Sequence, residues 1–530
     1  MSFLSNPASY TPPVDCVERR ETHVSHVFLA GAFAYKLKKP VTFPFLDAST
    51  LALRRRWCGL ELTLNRRLAP RIYLGLAPVV EGTEGLCLGG KGRVVEWLVA
   101  MRRLPEARML DQLVAKDRVS RRDMFRIADI LARFFRTCAR SARINRFGAS
   151  RLVAELVLGN LRECAPFVGR LLSEKDLRLL ESAYRQFLSL HEPLLQRRVR
   201  EGRIIDGHGD LRCENICMTE PVTIFDCVEF QPAFRCGDAI NDLSFLAMDL
   251  EFRGKPRLAE ALVARYRRNS RDVTCEPLLP FYKCHRSLVR GKVRGLSWLQ
   301  HPRAAEGRRV RKLSRRHFAL AVRYARQFAP PRLIAVGGLI GTGKSTLARG
   351  LAERLGAVWL RTDEIRLKEF ARFRRLASAK PGGEAGEDAR GFSDGLYAPR
   401  VSALVYERLI ERAEAVIRQG RSVVCDGTFS RAEGRRALRR IAKRAGGSFY
   451  FFECTAPRQV ARQRVGRRLA RQSDLSEARP EHYDRLKHGF EPVRRPEAAC
   501  WRRLPTTSSP ERVVQEALET LRRAWRIGAY

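Results

Sequence analysis

The sequence predicts two domains of different fold class: a two-lobed α+β domain over residues 1–329 and a three-layer α/β/α domain with a parallel sheet over residues 330–530. Three observations support this prediction. A chain of 530 residues is too long for one hydrophobic core. Strand patterns come before helical patterns in the first part, whereas strands and helices alternate in the second. Between the two parts, Pro330-Pro331 ends a basic helical stretch, because proline cannot continue a helix.

The first domain begins with a predicted β-hairpin, since HVFLAGAFAYKLKK (26–39) alternates apolar and polar residues around Gly31. Helical spacing follows over residues 50–69, and VVEWLVAMRRL (94–104) is typical of a strand that runs into a connector. From 120 to 200 the pattern is mostly helical, with the apolar stripes of a bundle. This order predicts a small β-rich lobe followed by a larger helical lobe.

In the second domain, strand and helix patterns alternate along the chain. The predicted strands are LIAVGGL, VWLRTD, SVVCDGTF and SFYFFECT, and the predicted helices cover 344–355, a region near 400–419 and 431–445, with further helical segments after the last strand. Such alternation predicts a parallel sheet that is covered by helices on both faces.

The chain is strongly basic, with a formal net charge of +43. Only 15 of its 100 basic residues are lysine. Residues 331–530 hold 41 basic and 23 acidic residues, a net +18, which leaves +25 for the rest of the chain. A dedicated nucleic-acid tail would concentrate charge in one block, and the sequence contains no such block. A solvated basic surface is therefore favoured over a nucleic-acid face, although an anionic partner stays open.

Targeting signals are not evident in the sequence. No run approaches the roughly 18 apolar residues of a membrane span, and the first residues lack the basic and apolar stretches of a signal peptide. The fourteen cysteines are scattered without a CxxC pair, which is typical of reduced thiols. We therefore expect a cytoplasmic protein with no membrane partner.

The first motif with chemical content is DGHGDLRCENICM (206–218), in which an Asn lies five positions after the Asp of His-Gly-Asp. Phosphoryl transfer needs a carboxylate for the attacking hydroxyl, oxygen ligands for Mg²⁺ and a cation for the nucleotide phosphates. Asp210 has the position of the catalytic carboxylate and Asn215 that of a metal ligand. A polar loop that caps a helix is the alternative. The short apolar strand that ends at Asp226, the predicted main metal carboxylate, favours phosphoryl transfer.

The cation of this first site is predicted to be Lys36, on the second strand of the hairpin. Glu61, on the next helix, is its predicted ion-pair partner. Lys38 and Lys39 compete for the role, and any of the three could instead be a surface lysine. The strand context favours Lys36.

The second motif, GGLIGTGKST (337–346), satisfies the pattern G-x-x-x-x-G-K-[ST] between a strand and a helix. The glycines let backbone N–H groups surround a phosphate at a helix N-terminus, the lysine bridges the β and γ phosphates, and the serine hydroxyl holds Mg²⁺. The predicted nucleotide-binding residues are Gly338, Gly341, Gly343, Lys344, Ser345 and Thr346, with Ser345 also a metal ligand.

Further residues would complete this second site. Asp363 ends the next strand and is the predicted general base, with Arg366 to hold the acceptor. Asp426 follows a buried strand, where it can organise Mg²⁺ through water. Arg464 and Arg468, in an arginine-rich helical segment, are predicted to reach the transferring phosphoryl group when a lid closes. A solvated arginine-rich helix is the alternative for these two.

The first half resembles the aminoglycoside phosphotransferase and choline kinase group, which implies a bilobal protein-kinase-like fold. The likeness covers most of residues 14–300 and is carried by ETHVSHVFLAGAFAYKLKKP, LNRRLAPRIYLG, HGDLRCENI, FDCVEF and RCGDAINDLSFLAMDL. One departure is that no G-x-G-x-x-G precedes Lys36. The segment THVS (22–25) would have to lie over the phosphates instead.

The second half resembles, over residues 332–495, the P-loop kinase-like family that includes gluconate kinase, chloramphenicol phosphotransferase, zeta toxins and the kinase part of polynucleotide kinase. Domains of this group are also described as AAA-type. The whole chain resembles two-domain bacterial proteins known as bifunctional aminoglycoside phosphotransferase-like/ATP-binding proteins.

Motifs and resemblance together predict a kinase that uses ATP and Mg²⁺ at two sites, each of which transfers the γ-phosphoryl group to a hydroxyl of a small molecule. Two alternatives stay open. In one, only the P-loop half catalyses and the first half is a binding or regulatory pseudokinase. In the other, the chain binds nucleic acid or processes its ends, which a strong salt dependence of oligonucleotide binding would reveal. Aminoglycosides are disfavoured as acceptors, because a domain of net charge +25 repels polycations.

Overall fold

The computed structural model describes residues 1–43, 46–83, 85–272, 274–300, 305–369, 399–471, 482–493 and 497–525. The chain divides into two compact units. The first contains Met1–Val153 and Leu195–Arg290, and the second contains Ala154–Leu194 and Gly291–Tyr530. Within the described ranges, no helix is long and apolar enough to cross a membrane.

A six-stranded antiparallel sheet forms the β-rich part of the first unit, with the strand order β1-β2-β3-β8-β6-β7. Its strands are β1 Val17–Glu21, β2 Ser25–Ala30, β3 Phe33–Lys38, β6 Tyr73–Gly82, β7 Gly85–Leu88 and β8 Arg93–Arg102, and a separate short pair is β4 Thr42–Phe43 with β5 Leu46–Asp47. The hairpin predicted over 26–39 is confirmed as β2 and β3, and Gly31 in its turn has a φ of 54°.

The two faces of this sheet are covered differently. Helix α2, Leu51–Asn65, lies on one face, where its Cys58 packs with Ala34 and Val99. The other face, which includes Phe28 and Leu37, packs against the short helix α1, Ser2–Ser5. Because side chains alternate along a strand, residues 34, 36 and 38 of β3 all point towards α2. The lysines of β3 therefore lie in a helix–sheet interior.

The remainder of the chain before the second sheet is mainly helical, as predicted. The helices are α3 Leu110–Ala115, α4 Arg121–Thr137, α5 Ala142–Asn145, α6 Ser150–Arg162, α7 Glu174–Leu190, α8 Glu192–Arg200, α9 Pro232–Arg235, α10 Ala239–Phe252, α11 Pro256–Ser270, α12 Leu278–Gln300 and α13 Ala305–Phe328. Two short antiparallel strand pairs interrupt them: β9 Ile204–Asp206 with β12 Cys236–Asp238, and β10 Ile216–Cys217 with β11 Thr223–Ile224.

The second unit contains a five-stranded sheet with the order β14-β15-β13-β16-β17, and all its strand pairs are parallel. The strands are β13 Arg332–Gly337, β14 Val358–Arg361, β15 Val423–Asp426, β16 Ser448–Thr455 and β17 Trp501–Pro505. The helices that follow β13 in the chain are α14 Lys344–Leu355, α15 over residues 362–369, α16 Pro399–Arg418, α17 Ala432–Arg444, α18 Arg458–Arg471, α19 His482–His488 and α20 Pro510–Ala524.

Both faces of this sheet are buried, which confirms the predicted three-layer fold. Along β13, Ile334 and Val336 pack with α14 and α20, whereas Leu333 and Ala335 pack with α16 and α17. The sequence did not predict β17, because helical segments were expected there. In WRRLP only Leu504 is buried, so this edge strand has no apolar alternation to mark it.

The two compact units do not follow the predicted division at residues 329 and 330. Residues 154–194 and 291–329 belong to the same unit as the parallel sheet. Leu190 of α7 lies in one core with Leu355 of α14, and the Gln186 amide donates to the carbonyl of Pro330 at 3.0 Å. Packing therefore extends the second unit beyond the sheet and its helices, while the domain boundary at 329/330 stays a prediction.

Acid should destabilise the second unit through His191. This imidazole stacks on Phe187 with ring centroids 4.3 Å apart, and its Nδ1 has no hydrogen-bond partner among the described residues. Burial, together with Arg332 and Arg522, lowers its pKa to about 4. Below the usual pKa near 6.5 the unfolded chain binds a proton that the folded unit does not, so stability falls as pH falls from about 6.5 to about 4.

We expect this group to remove about 2 kcal/mol of stability between pH 7 and pH 5. Denaturant unfolding of the wild type and of His191→Phe at several pH values measures the effect. Phenylalanine keeps the ring on Phe187 but cannot titrate, so the variant should lose less stability on acidification. Equal losses in the two proteins would contradict the assignment.

Candidate active sites

A network of charged side chains, most of them buried, lies between β3, α2 and the loop that follows β11 in the first unit. Lys36 Nζ is 2.8 Å from Glu61 Oε1 and 2.8 Å from Asp226 Oδ1. Burial acts to lower the pKa of Lys36, but the two carboxylates raise it well above its usual value. The structure thus brings together a cation, its ion-pair partner on the next helix and the carboxylate that the sequence placed after an apolar strand.

Lys38 and Lys39 have other surroundings. Lys38 is buried between Glu61 and Glu229, whereas Lys39 pairs with Glu21 at the exposed end of the strand. Burial raises the pKa of Glu229, and Lys38 opposes that effect. Of the three lysines, Lys36 alone contacts Asp226, so the geometry favours it as the phosphate-binding lysine. Sequence reasoning missed Glu229, whose only signal is its position three residues after Asp226.

The loop that carries Asp210 is held by its backbone. The N–H groups of His208 and Gly209 donate to the Asp242 carboxylate at 2.6 and 2.9 Å. Gly209 has a φ of 86°, and a Cβ there would lie 2.9 Å from the carbonyl oxygen of Phe234. Asn215 Nδ2 donates to Asp210 Oδ2 at 3.0 Å, so the predicted base and the predicted metal ligand are neighbours.

Arg212, which sequence reasoning did not single out, binds Asp210 with two nitrogens. Its Nε and Nη2 donate to the two Asp210 carboxylate oxygens, each at 2.9 Å. Burial acts to raise the pKa of Asp210, but Arg212 lowers it far below the usual range. Arg212 also pairs with Glu214. Asp210 is therefore ionised and engaged by a cation.

The segment expected to lie over the phosphates forms a tight turn between β1 and β2. Thr22 N donates to the carbonyl of Ser25 at 2.8 Å, and Ser25 N donates to Thr22 Oγ1 at 2.9 Å. The turn joins β1 to β2, and β2 lies next to β3. A compact hydrogen-bonded turn therefore occupies the position where a glycine-rich loop would be expected.

In the second unit, the motif at 337–346 forms a loop between β13 and α14, as predicted. Gly338, Gly341 and Gly343 have φ values of 132°, 75° and 78°. Two of these glycines are also closely packed, since a Cβ at Gly338 would lie 2.4 Å from the carbonyl oxygen of Cys454 and one at Gly341 would lie 2.2 Å from that of Ala461. The loop delivers Lys344 and Ser345 to the first turn of α14.

Asp426, the last residue of β15, lies beside this loop. Burial raises the pKa of Asp426 to about 6, against the opposing effects of Lys344 and of the nearby Ser345 hydroxyl. Its Oδ1 is buried without a hydrogen-bond partner among the described residues. The described part of the chain contains no cluster of three His, Cys, Asp or Glu residues that could hold a metal alone. A hydroxyl and an unsatisfied carboxylate oxygen beside a phosphate loop fit Mg²⁺ that also binds phosphate.

The predicted base and acceptor residues lie at the start of α15. Asp363 is close enough to Asp426 and Tyr406 for its charge to raise the pKa of both, although burial is the larger cause in each case. Arg366 donates to Ser402 Oγ at 3.1 Å. Sequence reasoning missed Tyr406, whose hydroxyl lies 3.0 Å from Thr428 Oγ1 and accepts from Phe429 N at 2.8 Å.

Arg464 and Arg468 lie one turn apart on α18, half-buried. Arg464 donates to the carbonyl of Thr506 at 2.8 Å, and Thr506 Oγ1 donates to the carbonyl of Thr342 in the loop at 2.6 Å. A cavity of about 190 Å³ lies here, lined by Gly343, Thr346, Leu347, Arg464, Thr506, Ser508, Pro510 and Val513. Arg464 thus borders a cavity next to the phosphate loop, and the lid role of both arginines stays a prediction.

The chain combines an α+β unit that contains a six-stranded antiparallel sheet with a unit in which the P-loop motif lies between a strand of a parallel sheet and a helix. The family described as AAA domain matches residues 333–493, which confirms the expected AAA-type domain. Uncharacterized proteins of Mycobacterium tuberculosis and Mycobacterium bovis are 35% identical over 474 residues, covering 89% of this chain and 90% of theirs. The chain belongs to the same family as these mycobacterial proteins.

Solved structures of kinases also resemble parts of the chain. A choline/ethanolamine kinase family protein from Mesorhizobium loti covers 61% of this chain and 98% of its own, with 15% identity and a TM-score of 0.37. A sugar kinase from Janibacter sp. covers 36% of this chain and 95% of its own, with 20% identity and a TM-score of 0.27.

Proposed function

We propose that this protein is an ATP-dependent phosphotransferase with two sites, each of which transfers the γ-phosphoryl group to a hydroxyl of a small molecule. One observation carries the proposal. In each unit, a lysine, a pair of oxygen-bearing side chains suited to Mg²⁺ and a separate carboxylate lie around one site. These are the parts that kinase-type transfer takes from a protein.

In the first site, Lys36 binds the nucleotide phosphates and Glu61 orients it. Asn215 and Asp226 supply the oxygens that would hold Mg²⁺, which when bound neutralises charge on the phosphates. Asp210 accepts the proton of the acceptor hydroxyl while the oxygen of that hydroxyl forms a bond to the γ-phosphorus. The bond from that phosphorus to the β–γ bridging oxygen breaks, and ADP leaves with the electron pair.

In the second site, the backbone N–H groups of the loop and Lys344 hold the phosphates, and Ser345 with Asp426 would hold Mg²⁺. Asp363 takes the hydroxyl proton, and Arg366 holds the acceptor. The cavity of about 190 Å³ beside Gly343 and Thr346 supports a place for the nucleoside, since it adjoins the start of α14 and has Arg464 in its wall.

A second candidate function, in which the first unit only binds nucleotide or regulates, is favoured by one contact. Both carboxylate oxygens of Asp210 accept from Arg212, and a base in that state is weak. Activity at this site requires Arg212 to leave Asp210 when substrates bind. A pseudokinase would keep the pair closed.

A metabolite-library screen with ATP tests the proposal directly. The full-length wild type, Asp210→Asn and Asp363→Asn are compared in parallel for phosphorylated products. We expect two separable activities, each lost in one variant. A product that disappears only with Asp363→Asn, and none that depends on Asp210, would support the pseudokinase; no product in the wild type would contradict the phosphotransferase.

Gly341→Ala should abolish nucleotide binding at the second site. An alanine Cβ would lie 2.2 Å from the carbonyl oxygen of Ala461 at a φ of 75°, so the phosphate loop must shift. Calorimetric titration of the full chain with Mg·ATP should give two sites in the wild type and one in the variant. The matched control is Gly159→Ala in α6, where the nearest contact is an ordinary 3.7 Å. This control should keep both sites, and two sites in Gly341→Ala would contradict the assignment.

A further inference from the structure

Lys38 and Glu229 form an ion pair in the interior of the first unit. The side chain of Lys38 is 1% exposed and that of Glu229 is 6% exposed. Burying such a pair gains little stability, because the cost of desolvating two charges offsets their attraction, and apolar replacements are often neutral. The contacts of the pair with residues of the proposed nucleotide site indicate a role other than stability.

The two oxygens of Glu61 connect the pair to Lys36. Glu61 Oε1 accepts from Lys36, and Oε2 accepts from Lys38. The carboxylate therefore has a partner on each side, and its orientation towards Lys36 depends on Lys38. With Lys38 absent, Glu61 would be a buried carboxylate with one oxygen unmatched.

The pair also holds the loop that presents Asp226. Asp226 and Glu229 lie three residues apart in this loop, and each contacts a lysine of β3. Strand and loop are thus joined twice, through Lys36–Asp226 and through Lys38–Glu229. Because residues 36 and 38 point the same way along the strand, the two links lie side by side.

The two links differ in access to solvent. In the first, the side chain of Lys36 is 13% exposed and that of Asp226 is 42% exposed. Both of these groups have partners to gain when nucleotide and metal bind, namely the phosphates and Mg²⁺. Their own ion pair must open at that moment. The Lys38–Glu229 pair, which is buried on both sides, faces neither ligand.

We propose that Lys38 and Glu229 are positioning residues whose ion pair holds Glu61 and the Asp226 loop in place. The pair keeps this arrangement while the Lys36–Asp226 ion pair opens, so that Lys36 can bind the nucleotide phosphates and Asp226 can bind the metal. This inference rests on the proposed function of the first site. In this inference, Lys38 and Glu229 position the residues of that site and do not themselves contact substrate.

The test uses full-length protein with Lys344→Ala, so that Mg·ATP binding reports the first site. Lys38→Met, Glu229→Gln and the double variant are compared by melting temperature, by calorimetric Mg·ATP affinity and by the Mg²⁺ concentration that half-saturates nucleotide binding. The control is the double change Lys39→Met with Glu21→Gln, which removes an exposed pair from the same strand region.

Lys38→Met leaves Glu229 as an unmatched buried charge, and Glu229→Gln leaves Lys38 with Glu61 as its remaining carboxylate partner, so each should lower the melting temperature. The double variant removes both charges of the pair and should regain part of that loss, although one oxygen of Glu61 stays unmatched. Affinity should not recover with stability: in the double variant Mg·ATP binding should stay about 10- to 100-fold weaker, as for residues that orient metal ligands. A pair with a purely structural role would recover both together, which would overturn the proposal.

Two further outcomes are decisive. If the double variant does not fold, Glu229→Asp replaces it, since the shorter side chain keeps the charge but draws the loop out of place; wild-type affinity there overturns the proposal. If the parent protein binds no Mg·ATP while its melting temperature is normal, the proposed function of the first site fails, and the role of the pair fails with it.

Discussion

Asp363→Asn is expected to slow phosphoryl transfer at the second site by about 10²- to 10⁴-fold, the usual effect of losing a general base. Nucleotide affinity at that site should stay within about twofold, because the groups proposed to bind phosphate belong to the loop and α14 and do not include Asp363. Asparagine keeps the size of the side chain and its place at the start of α15, so a folding defect is not expected. The rate is measured with an acceptor found by the metabolite screen.

The matched control for this experiment is Glu364→Gln. Glu364 is the adjacent residue, its side chain is 46% exposed, and it faces Arg361 at 3.8 Å. Glu364→Gln also removes one negative charge next to the site, but it removes no group placed to take a proton. We expect this variant to transfer at the wild-type rate. If both variants lose activity equally, the effect comes from charge near the site and Asp363 is not the base.

The parts of both sites that the sequence predicted depend on short-range patterns. A strand, a glycine-rich turn and a helix within about ten residues already determine where Lys344 and Ser345 must be, because the backbone conformation of the turn is encoded by Gly338, Gly341 and Gly343. Likewise, alternation along one strand of a hairpin was enough to favour Lys36. Local pattern and local structure agree at these positions.

Apart from Arg212, which binds Asp210 two positions away, the residues that sequence reasoning missed act through contacts distant in the chain. Glu229 meets Lys38 across 191 positions, and Asp242 binds the backbone of Gly209 across 33. A single glutamate or aspartate outside any motif cannot be distinguished in the sequence from an ordinary surface residue. A role for Tyr406 is equally hard to predict from the sequence, since a tyrosine on an amphipathic helix is typical of a core position. Tertiary contacts, rather than any motif, give these side chains their roles.

Asp210→Asn and Asp226→Asn should have different effects at the first site. Asp210 is the proposed base for the acceptor hydroxyl, so its replacement should keep Mg·ATP affinity and slow transfer by about 10²- to 10⁴-fold. Asp226 would hold the metal, so its replacement should weaken Mg·ATP binding. Asparagine suits this position better than alanine, because Asp226 has a φ of 63° and asparagine tolerates that conformation. Calorimetry with ATP in the presence and absence of Mg²⁺, in protein that carries Lys344→Ala, separates the two effects.

The Arg212–Asp210 ion pair affects how the results for Asp210→Asn and Asp226→Asn are interpreted. In Asp210→Asn the guanidinium loses its charged partner but keeps Glu214, so the loop remains anchored through Asp242 and the variant should fold. An exposed carboxylate in the same unit, Glu220, gives the control Glu220→Gln, which should change neither affinity nor rate. If Asp210→Asn and Asp226→Asn weaken Mg·ATP binding equally, the division of roles between base and metal ligand is wrong although the site exists. If Asp210→Asn binds Mg·ATP as the wild type does and transfer depends on Asp210, then Arg212 must release this carboxylate during turnover, and the first unit is a kinase rather than a pseudokinase.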